Sequence, residues 1–396
     1  MKTDTFGPHP TRRELLIGSA GAAAAMAGTK AAAQEAQGQP MPGNPRLPQE
    51  PDQRVGWAIV GLGTFGVGQV IPGFADARDS RLAAFVSGNR DKGRTLGARY
   101  GVEDLYDYDS FDAIADNPDI ECVYIVLPVG LHAEYTIRAL QAGKHVLCEK
   151  PMASSAREAT AMVAAARKAQ RKLGVAYRVH FEPNNMHVLE QVRQGALGEM
   201  RFISADHGFS ADPNYPPHKW RLEKLLGGGG SMYDIGIYGI NTSLMMLPGD
   251  RITAVSAAYA TPSGDPRFSE VEGAIDYRLR MASGINVQGS SSYCYSPYVS
   301  RQRYFGSEAS IEMKPATTYD FNEITFEGGG SAPRTYRAGN PMTQFAAQVD
   351  GFSQAVRGKA EVRTPGEMGL RDMRIIEACY ASADRDGEVV RVDIPV

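Results

Sequence analysis

Asp234 and Tyr238, in the run Asp234-Ile235-Gly236-Ile237-Tyr238, stand four residues apart and share one face if the segment is helical. A carboxylate and a phenol so placed, behind the glycine run Gly227-Gly228-Gly229-Gly230, can bind the hydroxyls of a sugar-sized ligand and pass a proton. A free phenol titrates near about 10, so it serves as a base at neutral pH only with a cation beside it. Lys150, in Glu149-Lys150-Pro151, is the candidate cation. It closes an apolar strand, at the end where open α/β sheets bind their ligands. Read one at a time, these residues have plainer roles: a half-buried aromatic, a tetraglycine linker, a surface lysine before a boundary proline.

A second constellation is Gly61-Leu62-Gly63-Thr64-Phe65-Gly66. Glycines at this spacing allow a tight turn, let the backbone approach a pyrophosphate, and let a helix pack closely on a strand. The following helix then aims its N-terminus at the anion. Enzymes that bind NAD place a carboxylate about 20 residues further on, to hold the ribose 2′-hydroxyl. Here that place, 21 residues after Gly66, holds Ser87, in Val86-Ser87-Gly88-Asn89-Arg90-Asp91-Lys92. The missing carboxylate, with Arg90 and Lys92 just beyond, favours a 2′-phosphate and therefore NADP. The other reading makes Arg90 and Lys92 a solvated helix start with Asp91 in its cap. None of the seven histidines shows a tight metal-binding spacing, and no metal site is expected.

These residues need elements to position them. Short apolar strands are predicted at Val55–Val60, Arg81–Val86, Glu121–Leu127, Lys144–Cys148 and Gly174–His180. They alternate with helices near Val67–Ala77, Asp91–Tyr100, His132–Ala142 and Ala156–Lys172, the rhythm of a doubly wound parallel sheet. After about Pro183 the pattern changes. Helices are expected at Met186–Gln194, after Gly230, at Phe345–Arg357 and at Glu367–Ala383. Between them run period-2 segments at Met200–Ser210, Ile252–Ala260, Gly273–Arg280, Ile285–Tyr295, Ser310–Lys314 and Asn322–Glu327. The expected fold is α/β. A Rossmann dinucleotide-binding domain over 55–180 precedes an α+β domain over 181–396 with a large, mostly antiparallel open sheet.

The chain of 396 residues carries a net charge of −3 and 22% charged residues, an ordinary globular composition with no basic face for nucleic acid. Arg12-Arg13, the Ala/Gly-rich stretch that follows and the small residues before Gln34 read as a twin-arginine signal peptide over 1–33. The apolar run is shorter than the ~18 residues that a membrane span needs. Its removal takes away Lys2, Arg12, Arg13 and Lys30 with Asp4 and Glu14, leaving a charge of −5 over 363 residues destined for the periplasm. Residues 34–54, rich in Gln, Pro and Gly, form either a linker or an extended arm. The four cysteines are expected as buried free thiols.

Along nearly the whole mature chain the sequence resembles the Gfo/Idh/MocA oxidoreductases. The resemblance rests on Ala58-Ile59-Val60-Gly61-Leu62-Gly63, Val86-Ser87-Gly88-Asn89, Leu131-His132-Ala133-Glu134, Ala142-Gly143-Lys144-His145-Val146, Glu149-Lys150-Pro151-Met152, Trp220-Arg221-Leu222 and Asp234-Ile235-Gly236-Ile237-Tyr238-Gly239. Many relatives carry His where this chain has Tyr238, so the resemblance narrows toward the glucose–fructose oxidoreductase branch. Against that branch, Thr64 stands where a Lys is usual, and Gly66 is an additional glycine.

The resemblance implies a tightly held NADP(H), oxidation of glucose at C1 to the lactone, and reduction of fructose to sorbitol in the same pocket. It implies Tyr238 as acid/base, Lys150 as the group that tunes it and orients the hydroxyl, and Asp234 as a sugar ligand. It places Gly61, Leu62, Gly63, Thr64, Phe65, Gly66, Ser87, Gly88, Lys92, Tyr108, Val126, Leu127, Pro128, His132, Glu149, Lys150, Arg178, Trp220, Arg221 and Tyr319 against the cofactor. It further implies an arm over the adenine end and a homo-oligomer, dimer or tetramer, formed through the open sheet. The alternatives are an aldose–aldose oxidoreductase, an NADP-linked sugar or polyol dehydrogenase with exchangeable cofactor, and a periplasmic binding protein without turnover.

Overall fold

A computed structural model of the protein describes residues 50–330 and 332–396. The expected signal peptide and most of the arm lie outside them. Among the described residues the strands form two sheets. The first comprises β1 (Val55–Val60), β2 (Ser80–Val86), β3 (Asp104–Tyr106), β4 (Cys122–Ile125), β5 (His145–Cys148) and β6 (Leu173–Val175). Their order is β3-β2-β1-β4-β5-β6, and every pairing is parallel. All six residues of β1 are buried, as a strand covered on both faces demands. The order changes direction beside β1, between β1 and β4, and there a doubly wound sheet opens its ligand crevice.

The second sheet comprises β7 (Met200–Ser210), β8 (Arg251–Tyr259), β9 (Ala274–Met281), β10 (Asn286–Ser292), β11 (Cys294–Gly306), β12 (Ala309–Met313), β13 (Ile324–Gly328), β14 (Arg334–Tyr336) and β15 (Val390–Pro395). Its order is β14-β13-β12-β11-β7-β10-β9-β8-β15, antiparallel except for the β10–β7 pair. In β9 buried Ile275, Tyr277 and Leu279 alternate with exposed Asp276, Arg278 and Arg280. One face therefore meets the core, and the other stays open.

The structure differs from expectation in four places. The predicted strand Gly174–His180 stops at Val175, and a 3-10 turn, Arg178–Phe181, redirects the chain into the cleft. The predicted Ile285–Tyr295 is two strands, β10 and the start of β11, because the chain reverses at Tyr293. β3, β14, β15 and all of β11 beyond Tyr295 have no counterpart in the prediction; β3 and β14, of three residues each, carry almost no periodicity. Cys122, Cys148 and Cys379 are buried free thiols, but Cys294 is only partly covered, at the start of β11 where the register with β7 breaks.

Late sequence returns to cover early sequence. Helix Gln344–Val356 lies on the first sheet, where the Trp57 indole Nε1 donates to Ser353 Oγ (3.0 Å) and the ring packs on Phe352. The Asp350 carboxylate accepts from the backbone N–H groups of Arg78 (2.6 Å) and Asp79 (3.0 Å) and from Ser80 Oγ (2.9 Å). These contacts fix the helix as a platform at the edge of the cleft. No described helix is long and apolar enough to cross a membrane.

Candidate active site

The glycine turn leaves β1 and enters a helical segment over 64–73 that contains a π-turn, Gly66–Val70. Gly61 has φ +102°, and a Cβ there would meet Val126 O at 2.3 Å and Leu127 Cδ2 at 2.9 Å, so only glycine fits. A Cβ on Gly66 would meet Gly61 O at 2.8 Å. A Cβ on Gly63, by contrast, would meet nothing within 4 Å, and that open space is the approach a pyrophosphate needs toward the backbone. These residues fit a dinucleotide. Leu62 is buried, Thr64 is exposed, and the Phe65 ring meets Tyr319 (5.8 Å) and Phe345 (6.0 Å), which belong to the second half of the chain.

At the tip of β2, Ser87 Oγ accepts from Asn89 N (3.1 Å), and Asn89 caps helix Arg90–Tyr100 by accepting from Lys92 N (2.9 Å). Gly88 lies under the Tyr108 ring, which would stand 3.1 Å from an added Cβ. Arg90 is paired with Asp107 (2.6 Å), which is itself held at about 2, chiefly by that arginine and by Ser110. Of the two expected cations, Lys92, with its own pKa lowered by burial, is the one without an ion pair among the described residues.

His132 is wedged between the loops after β4 and β5. Its ring nitrogens face Leu127 O (2.8 Å) and Pro151 O (2.9 Å), and burial lowers its pKa, which favours the neutral form with a single N–H to donate. A neutral ring donates to only one of these carbonyls, so His132 packs between the two loops without bonding both. Beneath them, Tyr124 Oη donates to Glu149 Oε1 (2.6 Å) and accepts from Gln348 Nε2 (2.8 Å), while Glu149 Oε2 accepts from Lys150 N (3.2 Å). Burial raises the Glu149 carboxyl.

Tyr238 lies in helix Ile237–Met245, and Asp234 in the π-turn Met232–Gly236 before it, a distortion frequent at functional sites. Lys150 Nζ donates to Asp234 O (2.6 Å) and to Asp234 Oδ1 (3.3 Å), and Arg221 Nε donates to Asp234 Oδ2 (2.8 Å). Burial alone would raise the Asp234 carboxyl, but the Arg221 and Lys150 charges outweigh it and hold it at about 2. Asp234 is thus a fixed anion at neutral pH, orienting two cations. The Arg221 guanidinium also lies over the Trp220 ring (4.4 Å).

Lys150 does not reach the Tyr238 hydroxyl. Its ammonium sits over the face of the ring (4.7 Å), and the hydroxyl accepts instead from Arg178 Nε (3.2 Å). The expectation that Lys150 depresses this phenol is therefore corrected on two counts. Asp234 diverts the ammonium, and the Tyr238 pKa is raised, because burial outweighs the opposing pull of Arg178. Arg178 is a hub: Nη2 donates to Thr317 O (2.5 Å), Nη1 to Gln344 Oε1 (2.7 Å) and Thr318 O (3.3 Å), and the guanidinium lies over the Tyr319 ring (4.5 Å).

The structure thus gathers Lys150, Asp234, Tyr238, Arg178, Arg221, Trp220 and Tyr319 into one cleft with Glu149, and it places Ser87, Gly88, Lys92 and Tyr108 together at the β2 tip. Gln344, Gln348 and Tyr124 were not anticipated. Their one sequence signal is a pair of glutamines four residues apart on an otherwise apolar helix face. No group of three or more His, Cys, Asp or Glu that could hold a metal occurs among the described residues.

A doubly wound sheet with a glycine turn at its crevice, facing a charged cage on an antiparallel domain, defines a dinucleotide-dependent oxidoreductase. Residues 55–177 match the "Oxidoreductase family, NAD-binding Rossmann fold" and residues 186–312 match the "GFO/IDH/MocA C-terminal domain". The chain belongs to the Gfo/Idh/MocA oxidoreductase family. Its fold is similar to that of the aldose-aldose oxidoreductase from Caulobacter crescentus, solved with glycerol, at 42% identity and TM-score 0.81 over 86% of this chain and 100% of that one. It is 26% identical to D-xylose 1-dehydrogenase [NADP(+)] of Haloarcula marismortui, over 86% of this chain and 94% of the relative. An inositol dehydrogenase homologue from Azotobacter vinelandii, solved with NAD+, shares the fold at 24% identity and TM-score 0.77, over 86% of this chain and 98% of that one.

Proposed function

We propose that the protein is an NADP-dependent sugar oxidoreductase that oxidises an aldose at C1 to the lactone and returns the hydride to the carbonyl of a second sugar. The observation that carries this reading is the placement of Tyr238, with Arg178 on its hydroxyl and Lys150 on its ring face, in the cleft that begins at the glycine turn. The 42% identity to an aldose-aldose oxidoreductase supports an aldose as acceptor as well as donor. The absence of a carboxylate at Ser87 and the free charge of Lys92 support NADP.

When bound, NADP supplies the hydride acceptor. The C1 hydroxyl proton passes to the Tyr238 oxygen as the C1–H bond breaks, and the C–O bond becomes the lactone carbonyl. Burial opposes the phenolate that receives the proton, and Arg178, donating to its oxygen, offsets part of that cost. Lys150, held in place by Asp234, orients the sugar oxygen, while Arg221, on the other oxygen of the same carboxylate, and Trp220 complete the charged end of the site. In the second half-reaction the phenol returns its proton to the oxygen of the carbonyl that is reduced. A proton kept on Tyr238 between the halves suits a ping-pong cycle with retained cofactor. We further propose export to the periplasm through the signal at 1–33, and a homo-oligomer built on the open sheet.

The test is a titration of the as-purified protein. Glucose should reduce bound cofactor with formation of gluconolactone, and a second sugar should then reoxidise it. An alditol from an added aldose supports aldose–aldose transfer, whereas sorbitol from fructose supports the ketose acceptor. Protein that turns over only with NADP added at each cycle would instead be an ordinary dehydrogenase.

A further inference from the structure

We propose that Gln344 is a positioning residue for this site: its side-chain carbonyl aims the Arg178 guanidinium so that Nε donates to the Tyr238 hydroxyl. The inference rests on the reading of Tyr238 as the proton acceptor. Gln344 is fully buried, and its Oε1 accepts from Arg178 Nη1 at 2.7 Å. The other acceptors on that guanidinium, besides Tyr238, are the Thr317 and Thr318 carbonyls, which belong to the loop between β12 and β13. Gln344 also donates through Nε2 to Tyr319 O (3.1 Å), so the amide braces the same loop. A guanidinium is a rigid planar fork, so fixing Nη1 and Nη2 fixes where Nε points.

Gln344 differs from the loop carbonyls in what stands behind it. Its helix is pinned to the first sheet through Asp350, Phe352 and Ser353. It therefore carries the geometry of the cofactor half of the molecule to a phenol in the other half. Among the described residues Arg178 is the one hydrogen-bond donor to the Tyr238 hydroxyl. The other charges facing this phenol are Lys150, Glu149 and Asp234. The His207 ring stacks on it, and the phenols of Tyr124, Tyr298 and Tyr319 lie around it. Loss of the Gln344 amide leaves Lys150, Glu149, Asp234 and His207 in place and loosens the donor together with the loop that carries Tyr319.

Gln344→Met keeps the volume and removes both the carbonyl on Arg178 and the Nε2 donor to Tyr319 O. In the full-length protein, the rising limb of kcat/KM against pH for aldose oxidation should move up by about one pH unit, as expected when a cation leaves an ionising phenol. Gln344→Asn keeps an amide but falls one methylene short, and it should move the limb the same way. Gln354→Met, further along the same helix and bonded to Asp79 (2.8 Å), should leave it unmoved. In an Arg178→Lys background, Gln344→Met should add no further shift. A limb that stays put in a folded Gln344 variant, or an equal shift in both backgrounds, overturns the proposal. If the wild type oxidises no aldose, the proposed function fails and the inference is still tested. Ultraviolet difference titration against Tyr238→Phe should show phenolate onset at higher pH in Gln344→Met, and an unchanged onset overturns it.

Discussion

At the glycine turn the ligand is met by backbone, and every feature that matters is an empty space: the missing Cβ of Gly61, of Gly66 and of Gly63. At the Lys150–Asp234–Tyr238 end it is met by charged side chains, none of which keeps its position without the others. The first region has no room for an added atom at Gly61 or Gly66 and leaves the space over Gly63 to the ligand. The second would tolerate many shapes, yet each cation is held by an acceptor from another element. Space and charge thus set the two ends of one cleft, and they should fail differently.

Tyr238→Phe should give the largest effect. The ring under Lys150 and Arg178 stays while the proposed proton acceptor goes, so hydride transfer in single-turnover kinetics should fall by about 10²–10⁴-fold, with dinucleotide affinity nearly unchanged. Equal losses in both would show that the two ends are not separable. Next, Gly61→Val should lose about 3 kcal/mol or more in urea unfolding, from the positive φ and the 2.3 Å clash with Val126 O. Gly63→Ala should unfold within about 1 kcal/mol of wild type, since its Cβ meets nothing, and yet bind the dinucleotide more weakly.

Asp234 gives a smaller, pH-dependent effect. Its carboxyl is depressed from 3.8 to about 2 in the folded protein, so its contribution is complete above about pH 4 and is lost as pH falls through about 2. The stability gap between wild type and Asp234→Asn should be about 2 kcal/mol or more above that window and close within it, followed by denaturation at stepped pH. A gap that stays constant would mean that the Lys150 and Arg221 contacts do not hold the anion. The smallest change is Ser87→Asp, which should move the ratio of NADP to NAD affinity toward NAD by about tenfold, as a carboxylate replaces a neutral hydroxyl at the β2 tip.

The glycine turn was legible in the sequence because the constraint is local: residues 61–66 satisfy one another within a single turn. Long two-face-buried strands such as β1 were legible for the same reason, through their unbroken apolar run. Asp234, Tyr238 and Lys150 could be named from spacing and strand ends, but their pairing could not. Whether Lys150 meets the phenol or the carboxylate depends on a π-turn at Met232–Gly236 that leaves no periodic trace. Arg178 looked like part of a strand, and the early stop of β6 that turns it into the cleft has no composition signal. Gln344 and Gln348 were hidden because their partners lie 166 and 224 residues away.

The helix that covers Trp57 reaches further than the site. Trp57 leaves the ribosome 296 residues before Ser353, the group its indole bonds. At about 5–20 residues per second, the nascent first sheet waits roughly 15–60 s with an apolar face uncovered. The cofactor half of this protein is thus finished only when nearly all the chain has been synthesised. A truncation after the second sheet's last central strand should yield an aggregating species rather than a smaller dinucleotide-binding protein.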